Sequence, residues 1–202
     1  MMMDMTLRQL ITAVRDEVHD PYGYRWSDET IKRYLNDGQL DLIKDSRRLH
    51  IWEYAVDAGV SQVNRPIDLL VPKYAYFDLY NGERVQLHFS HDYPASQDVG
   101  VPEKICVIGD MYYLYPVPSV GGQLALLGVK RPIPMETDDD VPSVEDADSL
   151  LVAYAAWQCY LSDNDPMASV MWDYYNQRRG EWMVLDAMKN PTTTVIERNW
   201  WD

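Results

Sequence analysis

The sequence predicts an α+β fold: a four-helix bundle of two N-terminal and two C-terminal helices, which carries an antiparallel β-rich insertion and ends in an extended C-terminal tail. Two observations lead to this prediction. Apolar residues recur at helical spacing toward both ends of the chain, whereas the middle alternates with a period of two between turns that contain Gly or Pro. With 202 residues, of which 47% are hydrophobic, the chain is long enough to bury a core.

Residues 1–50 are expected to form the N-terminal helical hairpin of the bundle. The helical spacing of the first helix is carried by Leu7, Leu10, Ile11, Val14 and Val18. Asp4 or Thr6 can cap this helix, since either side chain can accept a hydrogen bond from a free backbone N–H. The Pro and Gly of DPYGYR, residues 20–25, end the helix, and the short connection favours two antiparallel helices.

The second predicted helix begins near Ser27, in the stretch RWSDETIKRYLNDGQLDLIKD. Ser27 is a good N-cap residue, and the two acids that follow it lie where the positive end of the helix dipole favours anions. One side of the helix collects Ile31, Tyr34, Leu35, Leu42 and Ile43. This pattern predicts one packed face. Gly38 interrupts the stripe, which indicates close helix packing or a slight bend.

A β-rich insertion is expected over residues 51–135. Asn81-Gly82, inside YAYFDLYNGERVQLHF, is a strong hairpin signal, because both residues tolerate the positive φ angles of a tight turn. Gly109-Asp110 predicts a second turn, and Gly121-Gly122 precedes one more β-rich run. The pattern predicts roughly six or seven short strands, all antiparallel, in a small sandwich or open barrel.

Residues 136–190 are expected to hold the two helices that complete the bundle. An acidic run, METDDDVPSVEDAD, comes first and carries seven acids and no base between Glu136 and Asp148. Ser143 is the expected N-cap of the third helix, with Asp146 three residues later in the place of a capping-box acid.

The fourth predicted helix has Pro166 in its first turn and ends at Asn190-Pro191. Its apolar residues are Met167, Val170, Met171, Tyr174, Trp182, Leu185 and Met188. Beyond it, residues 191–202 are expected to form the extended tail, since TTTVIERNWWD is β-prone and aromatic but too short to fold alone.

Composition excludes several classes of function. The 32 acidic and 18 basic residues give a net charge of −14, which argues against wrapping nucleic acid or binding an anionic membrane. Cys106 and Cys159 form no CxxC pair, so free thiols in a reduced setting are expected. No signal-peptide pattern or membrane-spanning apolar run is present, which predicts a soluble protein. The 15 Tyr and 7 Trp residues suit buried interfaces.

Catalytic and metal-binding motifs give little support for an enzyme. His88 and His91 are three residues apart in LHFSHD, but on a strand that spacing places them on opposite faces. The acidic run lacks the Gly that a calcium loop requires, and Pro142 interrupts it. No GxSxG, HExxH or Gly-rich phosphate loop occurs. The sequence therefore predicts no enzymatic activity, no cofactor and no bound metal.

The order of these features is similar to a known family. MTLRQLITAVRDEV, RWSDETIKRYLNDGQLDL, DLYNGERVQL, VIGDMYYLYPVP and DDDVPSVEDADSLLVAYAAWQCYL together resemble the head–tail connector, or adaptor, proteins of tailed bacteriophages. The most specific piece, WSDETIKRYLNDGQ, looks like the second helix of that family. The resemblance implies a structural virion protein, made in the host cytoplasm, that forms a ring between the portal and the tail. The ring is dodecameric if the chain follows the family.

The resemblance also implies partners and sites. The β insertion would face tail components or neighbouring copies, and the ring would extend the conduit for double-stranded DNA during packaging and ejection, with no sequence-specific binding and no membrane. The tail would bind the portal through Val195, Ile196, Arg198, Trp200 and Trp201. The acids expected to face the lumen are Asp138, Asp139 and Asp140, although they can equally serve only to keep the protein soluble.

Two alternatives stay open. One is another virion protein that completes the tail outside the connector. The other is a metal-dependent hydrolase that uses the region of His88 and His91. The partner bound by the purified protein separates the first alternative from an adaptor, and a metal assay tests the second.

Overall fold

A computed structural model of the chain describes residues 4–92 and 98–190. These residues form four helices and nine strands in two compact units. Among the described residues, the helical unit comprises 4–47 and 131–190, and the β unit comprises 48–92 and 98–130. The α+β class is confirmed.

The helical unit is built around its third helix. The helices are α1 (Leu7–Glu17), α2 (Asp28–Asp45), α3 (Asp148–Ser162) and α4 (Met167–Lys189). All three other helices pack against α3, and both α1 and α2 pack more extensively against α3 than against each other. Buried positions on α3 are Leu150, Leu151, Ala153, Ala155, Ala156, Cys159 and Tyr160. Such a series covers more than one face of the helix.

The predicted four-helix bundle is therefore wrong. A bundle needs four amphipathic helices that each direct one stripe into a shared core. Here α3 occupies the centre itself, and the helices on either side of the β unit in the sequence surround it. α1 and α2 also contact each other, though less extensively than either of them contacts α3.

Local signals in the first two helices are confirmed. Thr6 is the N-cap of α1 and forms a capping box with Gln9. Ser27 is the N-cap of α2, where its Oγ accepts a hydrogen bond from the N–H of Thr30 at 3.2 Å. The predicted stripe of α2 is buried at Ile31, Leu35, Leu42 and Ile43 and half-buried at Tyr34. These residues attach α2 to the rest of the helical unit.

Gly38 marks close packing of α2 on α3. A Cβ at this position would lie 3.1 Å from Cδ1 of Tyr154 and 3.2 Å from Cδ2 of Leu151. Of the two sequence-based interpretations of this glycine, close helix packing is the one supported.

A seven-stranded mixed sheet dominates the β unit. Its strands follow the spatial order β1-β9-β3-β4-β6-β7-β2, and β5 pairs with β8 in a separate two-stranded sheet. The bounds are β1 His50–Val56, β2 Gln62–Asn64, β3 Leu69–Leu79, β4 Arg84–Ser90, β5 Val99–Gly100, β6 Lys104–Ile108, β7 Met111–Tyr115, β8 Val117–Pro118 and β9 Gly122–Lys130. All seven strands of the larger sheet contribute to one apolar core.

The prediction that every strand pairs antiparallel is wrong. β4 pairs with β6 and β5 pairs with β8 in parallel. Neither pair consists of consecutive strands, and strands joined by longer connections can align in parallel. The predicted hairpins are confirmed: Gly82 (φ 87°) lies in the turn between β3 and β4, and Gly109 (φ 59°) in the turn between β6 and β7.

Candidate interaction surfaces

The last helix, α4, is attached to its unit along a narrow stripe. Its buried residues are Met171, Tyr175, Trp182 and Asp186. The hydroxyl of Tyr175 donates to Oδ2 of Asp41 at 2.7 Å, and burial, followed by this hydrogen bond, raises the pKa of Tyr175. Nε1 of Trp182 donates to the carbonyl oxygen of Glu145 at 3.1 Å. Apolar burial and buried hydrogen bonds thus fix the rotation of α4 about its own axis.

Polar contacts at the C-terminal half of α2 strengthen this attachment. The buried carboxylate of Asp186 accepts hydrogen bonds from Oγ of Ser46 at 3.1 Å and from the N–H of Arg47 at 2.7 Å. Arg179 forms ion pairs with Asp41, at 3.2 Å, and with Asp45. Two helices that lie far apart in the sequence are therefore held together at several points.

Most apolar residues of α4 remain in solvent. Met167, Val170, Trp172, Tyr174, Met183, Val184, Leu185 and Met188 are between 36% and 73% exposed. Single exposed apolar residues are common on protein surfaces, but a set this dense on one helix is typical of a surface that another protein covers. We take the exposed side of α4 as the principal candidate interaction surface.

A second exposed aromatic surface lies in the loop between α1 and α2. Tyr22 and Tyr24 are 79% and 86% exposed, and their ring centroids are 5.7 Å apart. The buried carboxylate of Asp20 holds the loop, because it accepts hydrogen bonds from the N–H groups of Tyr24 (2.9 Å), Arg25 (3.0 Å) and Trp26 (3.2 Å). Burial opposes the charge of Asp20, but these N–H groups and nearby Arg15 outweigh it and lower the pKa.

This loop is also joined to the C-terminal end of α3. Nε1 of Trp26 donates to Oγ of Ser162 at 3.1 Å, and Arg25 forms an ion pair with Asp163. The two tyrosines are thus presented from a backbone that is fixed on both sides, which lowers the entropy lost when they bind a partner.

The acidic loop before α3 holds the first turn of α1. The carbonyl oxygens of Asp138 and Asp140 accept hydrogen bonds from the N–H groups of Arg8 (3.2 Å) and Leu7 (2.7 Å). The carboxylate of Asp140 accepts from the N–H groups of Thr137 and Glu136, and these bonds lower its pKa. Asp138 and Asp139 are exposed, whereas Asp140 is partly buried. The loop therefore has a structural role besides any role of its charge.

The predicted capping box of α3 is wrong. The helix begins at Asp148, and its N-cap, Ala147, makes no side-chain hydrogen bond to it. Ser143 is instead bound by the buried side chain of Gln39 on α2, whose Oε1 accepts from the Ser143 N–H at 2.8 Å and from its Oγ at 3.1 Å. A tertiary contact has replaced the local cap.

The candidate chemical residues do not form a site. His88 lies exposed on β4 and His91 lies exposed beyond the end of that strand. Within 4–92 and 98–190, no group of three or more His, Cys, Asp or Glu residues is arranged to hold a metal ion. Cys106 and Cys159 are free and buried, and burial raises the pKa of Cys159 to about 12, so this thiol is not a nucleophile near neutral pH.

The residues predicted to bind the portal, Val195, Ile196, Arg198, Trp200 and Trp201, lie outside the described residues. In the part of the chain that the structure describes, no helix combines the length and apolar character needed to cross a membrane.

A helix with many exposed apolar residues is typical of a protein that binds other proteins. The comparison with protein families agrees with this class: the family model described as SU10 adaptor protein matches residues 5–194. The chain belongs to the SU10 adaptor protein family and is a structural adaptor of a bacteriophage, a component of the virion. No curated protein matches the chain significantly. The resemblance to phage adaptors is thereby confirmed.

Proposed function

We propose that the protein is a head–tail adaptor that forms a ring between the portal and the tail and extends the DNA conduit. The observation that carries this proposal is the family match, which covers nearly the whole chain. The exposed apolar side of α4 supports it, because a ring subunit needs surfaces that neighbouring copies cover.

Assembly of the ring is expected to depend on the portal. A net charge of −14 keeps free copies apart, whereas a portal surface that already has the ring's symmetry offsets the entropy lost on association. Light scattering tests this. We expect a monomer or weak oligomer for the isolated protein and a ring, dodecameric if it follows the family, in a mixture with the portal. The absence of portal-dependent assembly would overturn the proposal, and assembly with a tail protein alone would indicate a tail-completion protein.

The acidic loop is proposed to face the lumen of this ring. Asp138 and Asp139 are exposed, and carboxylates on the wall of a conduit repel the DNA backbone and let it slide. The test is a double variant, Asp138→Asn with Asp139→Asn, which retains Asp140 because that side chain holds the loop. We expect normal assembly and slower DNA ejection. An unchanged ejection rate would show that these acids serve only solubility.

Residues 191–202 are proposed to bind the portal. Trp200 and Trp201 suit apolar pockets, and the β-prone segment before them suits addition to a strand edge. Deletion of residues 192–202 is expected to leave the thermal stability of the monomer nearly unchanged and to abolish attachment to the portal, which gives filled heads without tails. A truncated protein that melts much earlier but still binds the portal would show that the tail belongs to its own helical unit.

A further inference from the structure

A second stripe on α4 has the spacing of a helix–helix contact. Met167, Val170, Tyr174, Gln177, Glu181, Val184 and Met188 are separated alternately by three and four residues, and all seven are exposed. We call this set the α4 seam. Alternating steps of three and four place residues along one nearly straight line of a helix, as in the contact faces of coiled coils. With a rise of about 1.5 Å per residue, the α4 seam is about 32 Å long.

The α4 seam is separate from the stripe that attaches the helix to α3. The buried residues Met171, Tyr175 and Trp182 each follow a seam residue by one position, which is about 100° around the helix. Because the buried stripe fixes the rotation of α4, the seam is held toward solvent. Within residues 4–92 and 98–190, the packing of the helical unit therefore leaves this line of residues exposed.

Two further partly exposed apolar residues lie on the opposite side of α4. Trp172 and Met183 are 36% and 40% exposed, and at about 100° per residue they lie about 160° from the centre of the α4 seam. One helix thus presents the α4 seam and, on its nearly opposite side, two partly exposed apolar residues with the polar Asn176 and Arg179 between them. The ring of Trp172 also packs on that of Trp157 in the same unit, with centroids 4.3 Å apart. A closed ring needs two different surfaces on each subunit, because its contacts join two different surfaces of identical subunits.

We propose that α4 helices of neighbouring copies pack side by side, with the α4 seam of one copy against the Trp172 and Met183 side of the next. The inference rests on the proposed ring. The alternating spacing is typical of a face that packs along another helix. Among the described helices α4 has 23 residues, whereas α1, α2 and α3 have 11, 18 and 15. A second copy of α4 therefore fits the seam in length.

The polar centre of the seam agrees with a contact that forms only in the assembled ring. Gln177 and Glu181 interrupt the apolar positions, and Arg178 pairs with Glu181 at 3.3 Å. Polar residues at seam positions fix the register of packed helices at a cost in affinity. Each contact is then weak by itself and is reinforced by closure of the ring and by the portal.

The test compares four proteins in the portal mixture by light scattering. The seam variant carries Val184→Glu and Met188→Glu, and the opposite-side variant carries Met183→Glu. Ile133→Glu is the control, since Ile133 and Met188 are both 73% exposed and Ile133 lies outside α4. We expect the wild type and the control to form rings, and both α4 variants to lose them while they keep the wild-type circular dichroism spectrum.

Three other outcomes would each contradict one of these proposals. Rings from all three variants would refute the α4 contact and leave the proposed function intact. Loss of rings only in the seam variant would refute packing against the Trp172 and Met183 side, and would assign the seam to another partner surface. If the wild type itself forms no ring with the portal, the proposed function fails first.

Discussion

The helices α2 and α4 both pack on α3, but they use their apolar residues in opposite ways. In α2 the stripe of Ile31, Leu35 and Leu42 is fully buried, and Ser27 caps the first turn. In α4 most of the large apolar residues are exposed, and the N-cap, Pro166, makes no side-chain hydrogen bond to the helix. The difference shows that a helix can carry more apolar residues than its own unit buries. Apolar content alone therefore does not show which residues form the core. The surplus on α4 indicates a contact with another molecule.

The largest effect is expected when the buried stripe of α2 receives a charge. Ile31→Asp or Leu35→Asp places a carboxylate without a partner at a position with 0% exposure. Such a burial costs several kcal/mol, against a total stability of about 5–15 kcal/mol. We expect both variants to fail to fold, as measured by circular dichroism and thermal melting.

Lys32→Asp is the matched control on the same helix. The Lys32 side chain is partly buried, with 24% exposure against 0% for the whole of Leu35, and its Nζ pairs with the exposed Glu29 at 2.8 Å, a contact that contributes little. This variant is expected to fold normally. If Lys32→Asp unfolds the protein and Leu35→Asp does not, the faces of α2 have been assigned in reverse.

Within α4, substitutions in the buried stripe and on the exposed side are expected to change the free energy of unfolding by very different amounts. Trp182→Ala removes a buried ring and the hydrogen bond to the carbonyl oxygen of Glu145, which should lower the free energy of unfolding by about 3–5 kcal/mol. Leu185→Ala removes a side chain that is 55% exposed and should change it by less than about 0.5 kcal/mol. Urea denaturation measures both values. Equal losses would show that Leu185 also belongs to the core.

The elements of the fold were largely predictable, because their signals are local. Ser27 and Thr6 cap helices through residues three positions away, and Asn81-Gly82 is itself the hairpin turn. The arrangement of the helices was not predictable in this way. The apolar pattern of α3 has the same period whether that helix lies at one corner of a bundle or at the centre of its unit. The parallel pairing of β4 with β6 similarly has no local signal.

The sequence pattern predicts only part of the candidate interaction surface on α4. Met171 and Trp182 are buried, whereas Val170 and Leu185 are exposed, although the sequence pattern predicts a single apolar set that includes all four. What separates them is the rotation of α4, which depends on contacts such as that of Asp186 with Ser46, 140 residues away in the sequence. The alternation of three and four residues was the signal that could have revealed the second stripe.

The loop before α2 should respond to acid through Asp20, whose carboxylate accepts three backbone N–H groups. At the start of α4, the carboxylate of Asp165 accepts one, from Met167 at 2.9 Å. The pKa of Asp20 is lowered in the folded state, so its stabilisation is present above the ordinary value of 3.8 and is lost as the pH falls below it. In Asp20→Asn an NH₂ group replaces one of the two oxygens that accept backbone N–H groups. We expect a lower melting temperature at neutral pH and a smaller further loss between about pH 5 and about pH 3 than in the wild type. An unchanged acid dependence would show that Asp20 does not hold the loop.

A smaller destabilisation is expected from Gly38→Ala. Alanine gains about 1 kcal/mol in helix propensity, but its Cβ would lie 3.1 Å from Cδ1 of Tyr154. The ring of Tyr154 is held between Trp157 and Tyr175, each with a centroid distance of 5.3 Å, so it cannot move aside without further cost. Overpacking costs about 1–3 kcal/mol, which exceeds this gain. We therefore expect the free energy of unfolding, measured by urea denaturation, to fall by about 1 kcal/mol.

A small effect of the opposite sign is expected at the other helical glycine, Gly180. A Cβ at Gly180 would meet no atom within 4 Å, so Gly180→Ala gains helix propensity without a clash. The free energy of unfolding should rise by about 0.5–1 kcal/mol, because alanine loses less backbone entropy than glycine when the helix forms. Gly180 also lies on α4 between the seam and the side of Trp172 and Met183, so the variant should still form rings with the portal. A loss of stability would mean that α4 is bent or crowded at this point, and that the exposed half of the helix is not the regular surface that contrasts with α2.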